Sequence, residues 1–332
     1  MNKAFLFPLV VVGLLLAFPL IEMDARDYIL LILFTLFLNI VLAQSYDIVG
    51  GQMGYVNLGH IVFFAIGAYA FGIFLNAQLG FVLSLIGGAG ASVAFAALIS
   101  YPFFRLRGAY FSLAAFGLVK LMEYVTINMG ALTGGSNGLK IEAGDRVVPI
   151  FYLSLAVVVA VVICSWLIGR SQLGLAMKTI REDEEVARDF GVPVLKIKVQ
   201  ALLISSFFPG LMGGLYTWQL QFIDTDQVFG LKIALTPIAM AMLGGSGLLI
   251  GPIIGAVFLV GVEELIWTQL AQVHWTVTLL GYEVDIGQFA HLRGAILGLI
   301  IVLVGLFMPG GFARLPPVER MLTRAGLMTE DK

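Results

Sequence analysis

The 332-residue sequence has one cysteine, three histidines and a formal charge on only 12% of its residues. The lone Cys164 can form no intrachain disulfide, which excludes a disulfide-stapled secreted scaffold and leaves the redox compartment unreadable. His60, His274 and His291 lie far apart in sequence, and there is neither an H-E-x-x-H motif nor a Cys/His cluster. Nothing therefore calls for a metal or another cofactor. Charge is balanced as well as scarce, 19 basic against 21 acidic residues, which leaves no basic surface for nucleic acid. A soluble domain carries about a quarter of its residues charged, so a soluble enzyme is excluded too. The phosphate-cradling G-x-x-x-x-G-K-[ST] is also missing. Lys178 and Thr179 follow Gly174-Leu-Ala-Met, with no glycine before the lysine.

What is present is apolar: 60% hydrophobic residues, a mean hydropathy of +0.99, 39 glycines and 12 methionines. With ~20 residues needed to cross the hydrocarbon, that content makes about ten crossings. Glycine lets membrane helices approach closely. The fold class is an all-α polytopic membrane protein, one transmembrane domain over residues 1–332. Apolar runs bounded by charge or turn signals place spans at 4–21, 27–44, 60–76, 81–104, 108–129, 148–169, 199–222, 230–243, 250–274 and 289–308. The first has Lys3 before an apolar stretch, as a signal peptide does. It lacks an A-x-A-like cleavage site and carries Pro19, so it reads as an uncleaved helix.

Basic residues set the orientation. Segment 170–198 holds Arg170, Lys178, Arg181, Arg188, Lys196 and Lys198. Arg105 and Arg107 flank another turn, and Arg314, Arg320, Arg324 and Lys332 mark a tail over 309–332. An even number of crossings separates these segments, so all fall on the cytoplasmic side, with the N-terminus and the C-terminus both inside. Residues 22–27, 131–147 and 275–287 face outward; the last carries Glu283 and Asp285 and no basic residue.

Two glycine-rich stretches, 50–60 (GGQMGYVNLGH) and 244–252 (GGSGLLIGP), interrupt the spans. Irregular backbone at membrane depth requires protein or a water-filled cavity around it, and paired breaks in two halves of a chain point to a transport site. They read as broken or re-entrant segments, or as two glycine-rich turns at the interface. Their likeness is too weak for an internal repeat.

Segment 170–198 is the one soluble-looking stretch. Thr179 and Glu182 have capping-box spacing, Glu182 and Asp183 fall in a first turn, and Glu184 and Arg188 form an i,i+4 pair. Gly191 holds the position of a left-handed cap, followed by Pro193. This predicts a helix over 180–190 with an apolar stripe of Ile180, Val186, Ala187 and Phe190. It is either a solvated loop helix or one that seats in a partner's groove.

Residues 185–191 (EVARDFG) resemble the E-A-A-x-x-x-G loop of ABC importer permeases. Val186 replaces the first alanine, and the I-x-L-P that follows in many of them is missing. The stretch beginning at Gly174 (GLAMKTIREDEE) resembles the branched-chain amino acid permease family instead. So do 55–60 (YVNLGH), 63–69 (FFAIGAY), 107–112 (RGAYFS), 132–138 (LTGGSNG), 241–247 (AMLGGSG), 251–255 (GPIIG) and 306–310 (LFMPG). In this order they are most similar to the M-type permease of the high-affinity LIV system. Urea and short-chain amide importers share much of the pattern.

The resemblance implies a transport subunit of the bacterial or archaeal plasma (inner) membrane, without chemistry of its own. Its partners would be a related second permease, two ATP-binding subunits, an extracytoplasmic solute-binding protein and membrane lipid. Its substrate would be a branched-chain or other hydrophobic amino acid. The ATPase-coupling candidates are Thr179, Arg181, Glu182, Asp183, Glu185, Ala187 and Gly191. A zwitterion needs donors for its carboxylate, acceptors for its ammonium and an apolar wall. Thr133, Gly134, Ser136 and Asn137 offer hydroxyls and backbone N–H groups, as an anion-binding nest or as a connecting turn. Tyr55, Asn57 and His60 lie at the first break, as pathway residues or, for His60, as a packed helix-start residue.

Intramembrane charge supplies a rival reading, a self-sufficient ion-coupled carrier using Lys120, Glu123 or Glu263. Mutual neutralisation of Lys120 and Glu123 is the simpler account. Glu263 and the adjacent Glu264 cannot share a helical face, so one is expected toward the bundle interior and the other toward water or a partner chain.

Overall fold

The apolar runs fold as helices in the computed structural model, which describes residues 12–20, 25–142, 147–270, 276–279, 282–285, 298 and 311–314. The α-helices, in chain order, are α1 Arg26–Gly50, α2 Ile61–Asn76, α3 Phe81–Phe103, α4 Ala109–Asn128, α5 Gly130–Thr133 and α6 Val147–Arg170. They continue as α7 Gln172–Glu182, α8 Glu184–Asp189, α9 Val194–Leu220, α10 Thr225–Phe229, α11 Leu231–Gly244 and α12 Gly251–Leu270. Two short antiparallel pairs complete the described part: Leu139–Lys140 with Phe222–Ile223, and Thr276–Leu279 with Tyr282–Asp285.

Among the described residues, six helices are long and apolar enough to cross a membrane: α1, α3, α4, α6, α9 and the run Thr225–Gly244; α2 is apolar but shorter. The expected crossing at 289–308 lies outside the described residues except for residue 298, and only 12–20 of the span at 4–21 are described. His274 and His291 also lie outside them. Helix α9 begins at Val194, five residues before its expected start, so Lys196 and Lys198 belong to a helix rather than to the charged loop.

Small residues set the packing. Helix α9 lies against α2 and α3, and α1 joins this group to α6 and to the α11–α12 pair. A Cβ on Gly67 would stand 2.2 Å from the carbonyl oxygen of Gly210, and one on Gly213 would stand 2.2 Å from that of Phe64. Backbones this close exclude larger residues. Two bonds lock the contact, Ser92 Oγ to the Phe63 carbonyl (2.7 Å) and Thr217 Oγ1 to the Ala68 carbonyl (3.1 Å). The main core gathers Phe34, Phe37, Phe64, Phe71, Phe151 and Trp218. A second cluster joins Met53, Phe63, Phe104 and Phe111 to Met177, Ile180 and Ala187 of the charged segment. That segment is thus seated on its own bundle.

The expected single helix over 180–190 is two helices. Asp183 is extended (φ −158°), and its side chain accepts from the N–H groups of Glu185 and Val186 at 2.8 and 3.0 Å, starting α8. Asp is a strong N-cap because its carboxylate satisfies donors that the first turn leaves open. Thr179 caps nothing. It sits inside α7, with Oγ1 donating to the Leu175 carbonyl at 3.0 Å, so the Thr179–Glu182 capping box does not form. Glu263 and Glu264 also depart from expectation. Glu263 pairs with Lys232 of α11 (2.6 Å) and Glu264 accepts from the Tyr28 hydroxyl of α1 (2.6 Å), so each carboxylate meets a neighbouring helix.

Candidate functional site at the charged-loop end

Helices α7 and α8 bring charge to the end of the bundle where α1 stops and α2 and α4 begin. Glu184, the first residue of α8, is the hub. Its Oε2 lies 2.6 Å from Lys198 Nζ and accepts from the Tyr55 hydroxyl. Its Oε1 meets Arg188 at 3.3 Å and Arg107 Nε at 3.8 Å. Lys198 is buried, with its ammonium 4.2 Å from the centre of the Tyr55 ring. Glu185 pairs with Arg107 at 2.8 Å on the exposed side. Burial works to raise the pKa of Glu184. Hydrogen bonds from Lys198 and Tyr55, with the charges of Lys198 and Arg107, outweigh it and hold the carboxyl below its ordinary value. Burial, followed by the Glu184 carboxylate, pushes the Tyr55 phenol up, so it remains a donor.

Beside this hub lies a cavity of about 680 Å³, lined by Met53, Tyr55, Arg107, Leu113, Ile180, Arg181 and Glu184 among others. The first glycine break lines it through residues 53–56, and the second lies against that break. Arg181 Nη1 donates to the Gly51 carbonyl at 2.6 Å, and Asp47 Oδ1 accepts from Gly247 N–H at 2.8 Å and from Ser246 Oγ at 3.2 Å. Residues 50–60 and 244–252, almost two hundred positions apart, thus meet directly.

The first break also holds a buried polar cluster. Asn57 Oδ1 accepts from Gly59 N–H at 3.0 Å and shapes the turn into α2. His60 is buried, with Nε2 3.0 Å from Ser45 Oγ, while Nδ1 has no hydrogen-bond partner. Ser45 Oγ lies 2.6 Å from the Val41 carbonyl. If its proton goes there, the hydroxyl accepts from His60 Nε2–H and Nδ1 is left as the bare acceptor.

Of the coupling candidates, Arg181 and Glu185 join this site, and Ala187 is fully buried against the bundle. Gly191 has a φ of 82° and closes α8. Its N–H reaches the Arg188 carbonyl at 2.9 Å and the next N–H reaches that of Ala187 at 3.0 Å. Glu182 is exposed at the end of α7. Ahead of this cap, Phe190 is 83% exposed and Val186 46%, so half of the expected stripe faces outward.

Thr133, Gly134, Ser136 and Asn137 are not brought to this site. They lie at the far end of α4, which at 20 residues is about 30 Å long. There Thr133 Oγ1 donates to the Thr126 carbonyl (2.6 Å) and accepts from Gly135 N–H (3.2 Å). The N–H groups of Gly134, Asn137 and Gly138 are also bonded within the turn. The Thr133 hydroxyl and these backbone donors are thus used locally.

Reasoning from sequence missed Glu184 as a hub, Lys198 as its partner, and Asp47. Asp47 did carry a signal, a lone carboxylate in the last turn of an apolar helix, where the dipole disfavours it. Lys198 carried none, because fourteen residues and a chain reversal separate it from Glu184. Among the described residues, no group of three or more His, Cys, Asp or Glu side chains stands ready for a metal ion.

An apolar helical bundle with a folded polar loop at one end agrees with what similarity finds. The family described as branched-chain amino acid transport system / permease component matches residues 28–305. The chain belongs to that permease family. It is 29% identical to the LivM permease protein of the high-affinity branched-chain amino acid transport system of Salmonella typhimurium, over 80% of this chain and 68% of that protein. The LivM protein of Escherichia coli is also 29% identical, over 68% of this chain and 60% of its own length. The autoinducer 2 import system permease protein LsrC of Yersinia enterocolitica is 25% identical over 60% of this chain and 57% of its own. No solved structure matches. The relatives are permease subunits of transporters, and this permease is a multi-pass membrane protein.

Proposed function

We infer that this permease is a membrane-spanning subunit of an ABC importer that carries branched-chain, hydrophobic amino acids across the inner membrane, driven by separate ATPase subunits. The observation that carries the reading is the family match along residues 28–305. The polar loop supports it. Helices α7 and α8 are fixed to the bundle through Met177, Ile180 and Ala187 while Phe190 and Val186 face away. A lever needs those two properties, a rigid attachment and a free contact face.

In this reading residues 170–198 form the cytoplasmic coupling loop, residues 309–332 a cytoplasmic tail, and both termini are inside, with about ten crossings. Thr179, Arg181, Glu182, Asp183, Glu185, Ala187 and Gly191 position that loop. Tyr55, Asn57 and His60 stand on the inner reach of the substrate route, and Thr133, Gly134, Ser136 and Asn137 form the connecting turn at its opposite, outer end. Two ATP-binding subunits seat against the loop, and a solute-binding protein delivers amino acid from outside. A second, related permease covers α4. Support comes from the Lys120–Glu123 pair (2.8 Å), whose lysine is 48% exposed on that helix near Tyr124, itself 65% exposed. An exposed ion pair within a spanning helix calls for water or protein rather than lipid.

Reconstitution tests this. Proteoliposomes holding this permease with its genomic-neighbour ATPases, second permease and binding protein should accumulate leucine, isoleucine or valine only with internal-facing ATP. Uptake by this chain alone under a proton or sodium gradient would sink the reading.

A further inference from the structure

We propose that Arg181 is a positioning residue that latches the cytoplasmic loop to both glycine breaks, with Asp47 as the fixed anchor between them. The proposal rests on the importer reading above. Arg181 lies in the last turn of α7, just before the chain breaks at Asp183. Its Nη1 bonds the carbonyl of Gly51, the first residue beyond α1, at 2.6 Å. A carbonyl at a helix end has no partner within the helix and accepts from elsewhere.

The same side chain covers the second break. A Cβ on Gly247 would lie 2.6 Å from Arg181 Nη1 and 3.1 Å from the Gly51 carbonyl oxygen, and one on Gly54 would lie 3.0 Å from Arg181 Cγ. One step inward, Asp47 is fully buried and binds Gly247 N–H and Ser246 Oγ through Oδ1, while its Oδ2 has no hydrogen-bond partner. A Cβ on Gly51 would fall 1.8 Å from Asp47 Oδ1 and 2.5 Å from Gly247 N. Residues 51 and 247 are thus in backbone contact with no room for slack.

The two joints differ in kind. Arg181 is exposed and holds Gly51 through one bond, whereas the fully buried Asp47 holds the second break through two. The outer joint is the one that can open and close as the loop moves; the inner joint makes both breaks follow together. Loop motion thereby reaches the ends of α1 and α11 without passing through the apolar core.

The test uses the full complex in proteoliposomes and reads amino acid transported per ATP hydrolysed. Arg181→Ala and Arg181→Gln leave Val186 and Phe190 untouched, so the ATPases still bind and hydrolyse. Uptake should fall at least tenfold while binding-protein-stimulated hydrolysis stays within about twofold of wild type. Arg181→Lys, which keeps a donor but not the flat guanidinium over Gly247, should restore part of the uptake. Asp47→Asn keeps the acceptor oxygen and should couple better than Asp47→Ala. Uptake and hydrolysis falling together, in proportion to assembled complex, would reduce Arg181 to a structural staple and overturn the latch. Unchanged uptake would overturn it as well. Failure of the wild-type complex to use ATP at all would instead overturn the importer reading, so the two failures are distinguishable.

Discussion

At the end of the bundle carrying residues 50–60 and 244–252, polar side chains reach between elements far apart in sequence. Arg181 bonds Gly51, Glu184 bonds Lys198 and Tyr55, and Asp47 bonds Gly247. At the other end, the equally glycine-rich 133–138 keeps its bonds to itself, from Thr133 to Gly135 and to the last turns of α4. Glycine content is alike in the two places, yet one segment is wired to three helices and the other closes a turn. Where the hydrogen bonds go, rather than the number of glycines, separates a joint from a cap.

The largest test of that contrast removes the hub. Glu184→Ala leaves the buried Lys198 ammonium without its carboxylate, and an uncompensated buried charge costs about 3–5 kcal/mol. Thermal unfolding in detergent should show it, with Lys198→Met losing less because Arg188 and Arg107 still answer the Glu184 carboxylate. A loss near that of a surface ion pair, below about 1 kcal/mol, would erase the distinction between the two ends. The hub has a pH signature too. Because the folded state holds the Glu184 carboxyl below its ordinary value of 4.5, its contribution is complete above pH 4.5 and disappears as pH falls through the lower folded value. Wild-type protein should therefore lose melting temperature faster below pH 4.5 than Glu184→Gln does.

A middle-sized effect is expected at Gly191. Its φ of 82° has open space around the missing Cβ, so Gly191→Ala meets no clash and bears only the left-handed backbone penalty, about 1–2 kcal/mol. The measured loss of ATPase association should exceed what that stability change explains, because the cap aims the chain beside Phe190. Association that tracks stability alone would make Gly191 an ordinary cap.

The smallest effect belongs to the far end. Thr133→Val strands the Gly135 N–H and should cost about 1 kcal/mol. Uptake per folded molecule should hold. A fall in uptake at unchanged stability would show the turn facing cargo and would give this end a role matching the other. Cysteines at Ser136 and Ser171 sharpen the same contrast, since the first should label from outside intact cells and the second only after permeabilisation.

The spans were legible because hydrophobic periodicity and length are local properties. Helices α3, α4 and α6 begin and end within a residue or so of the apolar runs that announced them. Gly191 was legible for the same reason, its neighbours Arg188 and Pro193 being enough to mark a left-handed cap. The start of α8 was misread because Thr179 and Asp183 both offer capping oxygens within five residues. Burial of Met177 and Ile180 extends α7 through Thr179 and leaves the cap to Asp183.

The sequence by itself therefore determined the solvent this chain lives in, most helix limits, and the existence of two breaks and one polar loop. Each follows from the residues within a turn or two. Only the tertiary structure decided that the loop closes over both breaks, that Glu184 rather than its neighbours is the hub, and that Lys198 answers it from inside α9. Those pairings depend on α1, α7, α9 and α11 meeting at one end of the bundle. Ion pairs and backbone bonds between residues 14 to about 200 positions apart leave no periodic trace in a linear chain.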